Sequence, residues 1–343
     1  MCAALLCGCE YSFDLDDTDE NDKLHVLCVA GEGNETFINI QKAIPANRDN
    51  TNIPVTTDVK KLDLKVNGKS VSFSKYDINS SRYNLWRTED PILPGDRLSL
   101  EVEVEGTDPV MAETTVPELP VIQSFNYSAA EKSDYSYKTI FDVEIDNVDE
   151  ESYLAFSCNS MHIHVVENEE GVETERDTTY SRVWVEPAVE YNDITDDTEE
   201  PWISTYFNGI SLDTYDGDEL NVLDARTVLS NKGHIQFSIR PNRDDVRVVN
   251  EEWYFNPETF EYKPVAVPEY TIYSYYSYSI AIRRISKEAY CYIKARHIEN
   301  VNVLATIGLA PPTFTYSNID GGFGVLAGMS KSETPYFKVE FSD

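Results

Sequence analysis

The sequence predicts a mainly β protein. An N-terminal immunoglobulin-like antiparallel β-sandwich spans residues 22–118, and a larger antiparallel β domain with one short helix spans 119–343. Three observations carry that reading. Short segments rich in branched and aromatic residues alternate apolar with polar at a period of two. Asn-Gly and Pro-Gly pairs punctuate those segments. Helical patterns are almost absent between them, which favours hairpins over βαβ crossovers.

The strands follow in order. Leu24–Ala30, Thr36–Ile40 and Leu62–Val66 are apolar or alternating runs of strand length. Asn67-Gly68 joins Leu62–Val66 to Ser70–Phe73, a strong hairpin signal because both positions tolerate positive φ. Pro94-Gly95 turns the chain into Leu98–Val104, which alternates strictly. The prolines of Thr114–Pro120 cannot serve a central strand, so the first unit closes there. Beyond it, Thr139–Ile145, Tyr153–Cys158, His162–Val166, Arg182–Val185 and His234–Ile239 read as further strands. Residues 241–269 are rich in Pro, Asn and Asp and are expected to form a long irregular excursion. Ser286 is placed to cap one helix, with Glu288 in its first turn and Lys294, Arg296 and His297 towards its end, as the helix dipole favours. Ile285, Ala289, Tyr292 and Ile293 would face inward.

Charge and cysteines narrow the function. The 343 residues carry 61 acidic and 28 basic side chains, a formal charge of −33, so a polyanion such as nucleic acid is repelled. Residues 1–8 read as the remnant of a signal peptide that ends in the lipobox Leu6-Cys7-Gly8-Cys9. Cys9 is then the lipid attachment site, and residues 9–21 form a lipidated acidic tether. The apolar run is far shorter than the roughly 20 residues a membrane span needs, so the membrane would be met through the lipid alone. Cys28, Cys158 and Cys291 remain, odd in number and widely spaced, and suit buried free thiols better than a disulfide framework.

Candidate sites are few. No H-E-x-x-H, G-x-S-x-G or P-loop is present, and no motif calls for a cofactor, so the chain reads as non-enzymatic. His162 and His164 share one strand face and could hold zinc only with a third ligand from elsewhere; packing histidines are the plainer reading. Asp213–Glu219 is acidic but lacks the spacing of a calcium loop. No metal site is therefore expected. In Tyr270–Ile282, Ile272, Tyr276, Tyr278, Ile280 and Ile282 share the face better suited to a core. Tyr273 and Tyr275 share the other face with Ser277 and Ser279, where they are the candidate contacts for a small ligand, glycan or peptide. The alternative is an amphipathic strand covered by the helix or by the 241–269 segment. The run Asn318–Gly322 reads as a turn, followed by a strand in which Gly324 permits close backbone approach.

The acidic segment after Cys9, the closing Thr114-Thr-Val-Pro117, Ile285–Tyr290 and above all Tyr316–Gly328 are similar to the DUF4249 family of Bacteroidetes outer-membrane lipoproteins. The family usually has Gly-Leu-Gly-Ile/Val-Phe-Gly where this chain has Gly322-Phe-Gly-Val-Leu-Ala327. The resemblance covers essentially the whole chain after Cys9 and brings no catalytic residues. It implies a lipid-anchored, surface-exposed protein of the outer membrane, because Glu10, Asp14, Asp16 and Asp17 resemble a surface-export signal. It also implies a TonB-dependent receptor as partner and an accessory role in nutrient uptake. A cell-surface adhesin or structural lipoprotein with no transport role stands as the alternative, since fold does not settle function.

Overall fold

The computed structural model describes residues 23–31, 33, 35–42, 58–77, 84–133, 136–149, 151–188, 202–207, 218–257, 260–301 and 316–342. Cys9 and most of Asp213–Glu219 lie outside them. The N-terminal unit contains β1 (Leu24–Ala30), β2 (Thr36–Lys42), β3 (Val59–Val66), β4 (Lys69–Ser70), β5 (Ser74–Tyr76), β6 (Leu85–Thr88), β7 (Arg97–Val104) and β8 (Val110–Thr115). One layer is β1-β2-β6-β5 and the other is β4-β3-β7-β8. The β3–β4 hairpin turns on Asn67 and Gly68, at φ 51° and 81°, as the Asn-Gly pair predicts. Alternate residues of the two layers meet in a dry core, with Val26, Ile38 and Ile40 on one side and Leu64, Leu98 and Leu100 on the other.

The rest of the chain supplies β9 (Val121–Tyr127), β10 (Glu131–Ser133), β11 (Ser136–Asp146), β12 (Tyr153–Asn168), β13 (Glu173–Val183), β14 (Glu186–Pro187), β15 (Ile203–Phe207) and β16 (Asp218–Asp224). It continues with α1 (Ala225–Ser230), β17 (His234–Ile239), β18 (Asp245–Asn256), β19 (Glu261–Ile285), α2 (Lys287–Val301) and β20 (Phe323–Glu333). The single-turn helix α1 adds to the one helix the sequence suggests. The two strands expected at Tyr153–Cys158 and His162–Val166 are one continuous strand, β12.

A second sandwich forms where β12 and the C-terminal half of β19 cover β9, β11 and β17. Phe156, Ile280 and Ile282 face Phe141, Val143 and Phe237, with Phe141 and Phe237 stacked at 5.2 Å. The last strand joins both units. β20 lies antiparallel to β19, from Ala281↔Glu333 to Ile285↔Met329, and parallel to β1, from His25↔Phe323 to Ala30↔Gly328. It is the one parallel pairing between named strands among the described residues, in a fold expected to be antiparallel throughout. Residues from the far end of the chain therefore sit in the first core, Ile319 and Leu326 among them. Gly324, at φ 105°, is required at this seam, because a Cβ there would run into the Val26 carbonyl. Gly328 is required too, since its Cβ would lie 2.6 Å from Val116 Cα.

The result is one long sheet, β15-β16-β12-β19-β20-β1-β2-β6-β5, with the two smaller sheets on one face. On the opposite face α2 packs Ala289, Tyr292 and Ile293 over Val29, Ala155, Val325 and Ala327. Both faces of β20 are thus buried, which explains its nearly unbroken apolar run. Ser286 caps α2 as its position suggests: its Oγ accepts from Ala289 N at 3.4 Å and from Gly328 N at 3.3 Å, tying the helix to the seam.

Candidate functional site

Beyond the second sandwich, β12 and β19 continue as an arm. They pair without interruption from Tyr153↔Ile285 to Asn168↔Tyr270, with β13 added on one side and β18 on the other. Residues 241–269 are therefore not an irregular excursion. They hold all of β18 and the start of β19, because two exposed strands pair without needing an alternating apolar face. Pro264 and Pro268 are tolerated there because only one neighbour pairs with this end of β19. Beyond Asn168↔Tyr270 only β18 and β19 go on, as a two-stranded ribbon from Glu251↔Ala266 to Asn256↔Glu261.

The arm brings Tyr273 and Tyr275 onto one face, opposite Val165 and Ile163 of β12. Their rings are nearly parallel, 6.2 Å apart. Each is held from its flank. The Tyr273 hydroxyl donates to Glu167, whose carboxylate keeps the phenol above its ordinary range. Lys338 Nζ sits 5.2 Å from the Tyr275 ring and pairs with Asp244 at 2.6 Å. The two rings form a fixed, half-buried stack, beside which Val246 is 58% exposed. Such a surface can take the apolar face of a sugar ring or a peptide side chain.

The other face carries His162 and His164, 6.2 Å apart. His162 stacks on Tyr276 at 4.5 Å and 7° and stands opposite Thr179 of β13. Among the described residues no group of three His, Cys, Asp or Glu side chains is placed to hold a metal. Cys28 and Cys158 are buried free thiols, and burial pushes both up to about 12, so neither is a nucleophile at neutral pH. Cys291 is half-buried and also raised by burial.

Two features were not read from the sequence pattern. One is an open cleft of about 1050 Å³ where the sandwiches meet, bordered by Arg97, Glu113, Glu118, Asp149, Arg284 and Lys287. Thr114 Oγ1 donates to Glu288 at 2.9 Å and Arg284 pairs with Asp149 at 3.3 Å along its walls. Its residues come from distant stretches of chain, so no local motif announces it. The other is the ribbon tip, where Trp253, Tyr254, Phe255, Phe260 and Tyr262 are all exposed. Five aromatics within ten residues of an otherwise polar segment is the signal that could have marked it.

Neither the curated proteins nor the solved structures include a match to this chain. A family model, the domain of unknown function DUF4249, matches residues 9–334. That span takes in both sandwiches, the arm and the closing strand, and the chain belongs to the DUF4249 family.

Proposed function

We propose that this chain is an outer-membrane lipoprotein, anchored through Cys9 and exposed at the cell surface, that acts as a non-enzymatic binding or accessory component of a TonB-dependent nutrient uptake system. The observation that carries the reading is an arm that presents aromatic rings the cores do not use, on a chain with a lipid attachment signal at Leu6–Cys9. The family match begins at residue 9, the same cysteine. No helix among the described residues is long and apolar enough to cross a membrane, and the Leu6–Cys9 motif supports attachment through a lipid. Tethering raises the local concentration of a binder at its receptor, so modest intrinsic affinity suffices.

The anchor is tested with Cys9→Ser, expressed behind the full native signal. The expected result is a folded protein released from the membrane fraction. Retention in the outer membrane after a high-salt wash would refute the anchor. The partner is tested by gentle detergent extraction, which should recover a TonB-dependent receptor with the tagged wild type. The exposed arm equally suits an adhesin, and gene deletion separates the two. A growth defect confined to one nutrient supports uptake, whereas altered attachment with normal growth supports adhesion.

A further inference from the structure

The ribbon from Glu251 to Ala266 does nothing for the cores. Trp253 stands opposite Pro264 and Phe255 opposite Tyr262, so Trp253, Phe255 and Tyr262 project from one face. Phe255 lies 5.2 Å from Tyr262 and 6.1 Å from Phe260, which makes those three rings one cluster, and Trp253 lies two residues along the same face. Their exposures are 66% for Trp253, 47% for Phe255, 81% for Phe260 and 65% for Tyr262. At roughly 200 Å² per ring, that leaves about 500 Å² of aromatic surface in water at one tip, at the upper end for a lone soluble protein. Phe260 is held at φ 55°, a left-handed conformation costly for a bulky side chain, and gains no burial from it. A two-stranded ribbon is itself marginal in water.

Carboxylates edge the patch. Glu251 opposes Ala266 on the face of Trp253, and Glu261, opposite Asn256 at the start of the returning strand, borders the tip from the other face. Glu252 accepts from Tyr254 and Tyr270 at 2.8 and 2.9 Å, which holds its carboxyl below the usual range and keeps it charged. Lys263, the one cation in the ribbon, pairs with Glu261 at 3.6 Å. On a chain of formal charge −33, an aromatic tip edged this way is repelled by anionic lipid and matches a cationic rim.

We propose that Trp253, Phe255, Phe260 and Tyr262 are the anchor of a protein–protein interface, inserting into an apolar cleft bordered by lysine and arginine on the partner. The proposal rests on the binding reading above and adds the surface and the chemistry of its counterpart. A patch of this size is smaller than the roughly 800 Å² each partner gives a standard interface, so it serves as the energetic centre rather than the whole contact.

A photo-crosslinking residue placed at Phe255 in the full-length lipidated chain, in native outer membranes, tests it, with the exposed Leu93 as control position. The expected result is a discrete protein adduct from position 255 and none from 93. The cross-linked peptide, read by mass spectrometry, should lie beside lysines or arginines. Glu251→Lys with Glu261→Lys should cut the yield at least tenfold, as should Trp253→Ser with Tyr262→Ser, while both variants melt like wild type. Absence of a protein adduct, adducts to lipid alone, or a yield indifferent to charge reversal would each overturn the proposal. Receptor recovered equally with wild type and the Trp253→Ser, Tyr262→Ser variant would overturn the tip and leave the uptake role standing. A charge-dependent adduct to a protein other than a TonB-dependent receptor would do the reverse.

Discussion

The two ends of β19 are built from the same residue types and live in opposite surroundings. Near its C-terminus Tyr278 is 1% exposed, and its hydroxyl accepts from Asn242 N at 2.7 Å. Near its N-terminus Tyr262 is 65% exposed, with its ring against Phe255 at the tip. Both halves are extended strand, so backbone conformation does not separate them. What differs is cover. The Tyr278 half has β11 and β17 packed over its inner face, whereas the Tyr262 end pairs with β18 alone and, among the described residues, has no element packed over it. Alternation tells which residues share a face; sequence-distant elements decide whether that face becomes a core or a contact surface.

Substitutions along the strand put that contrast to the test. The largest effect is expected from Ile280→Ala. It removes a fully buried branched side chain facing the second core and should cost about 3 kcal/mol by urea denaturation. A loss under 1 kcal/mol would show that the buried half is as loosely held as the arm.

Tyr278→Phe should cost about 1–2 kcal/mol, because it removes a hydroxyl that accepts from Asn242 N at 2.7 Å and donates to Asn242 O at 3.4 Å while the ring stays in place. It also has a pH signature. Burial pushes the Tyr278 hydroxyl up to about 12 from an ordinary value near 10, so folding favours its protonated form. That stabilisation is complete below pH 10 and drains away as pH rises through the folded value. Cys28 and Cys158, likewise pushed up to about 12, add a loss that begins near pH 9 in both proteins. Melting temperature followed from pH 8 to 11 should therefore fall less steeply above pH 10 in the Phe variant. Parallel curves would mean that the phenol is not held protonated by the fold.

The smallest effect is expected at the tip. Trp253→Ala should change stability by no more than about 0.5 kcal/mol, because the side chain is two-thirds exposed. A drop comparable with that of Ile280→Ala would mean that the ribbon is part of the folding unit and not an appended contact surface.

The local features were legible because their causes are local. β1, β2 and β7 follow from apolar pattern, the β3–β4 turn from Asn67-Gly68, and the inward face of α2 from the spacing of Ala289, Tyr292 and Ile293, each no more than 8% exposed, whereas Ile285, expected on the same helix face, ends β19. Gly324 could be assigned close backbone approach from its place in a strand, but nothing nearby names Val26 as the backbone it approaches. The pairing of β20 with β1 was hidden for the same reason, since a period of two identifies a strand and not its partner. The ribbon was hidden for a different one. Solvated on both faces, it carries none of the alternation that reveals a half-buried strand, and Pro264, Pro268 and Asn256 imitate a loop. Of the candidate contacts, the shared face of Tyr273 and Tyr275 was readable. Their attachments to Glu167 and Lys338 depend on register and on the C-terminal segment, and were not.

The parallel seam between β1 and β20 has a consequence for the order in which the chain can fold. β1 is synthesised long before β20, with almost every other strand between them. Until Phe323–Glu333 arrives, the first sheet ends in an unsatisfied strand edge and its core lacks Leu326. Both units therefore reach completion together, only once β20 has been made, through one pairing of very high contact order. A chain cut before Phe323 forfeits both closures at once, so proteolysis near the C-terminus should unfold the most N-terminal strand of the sandwich.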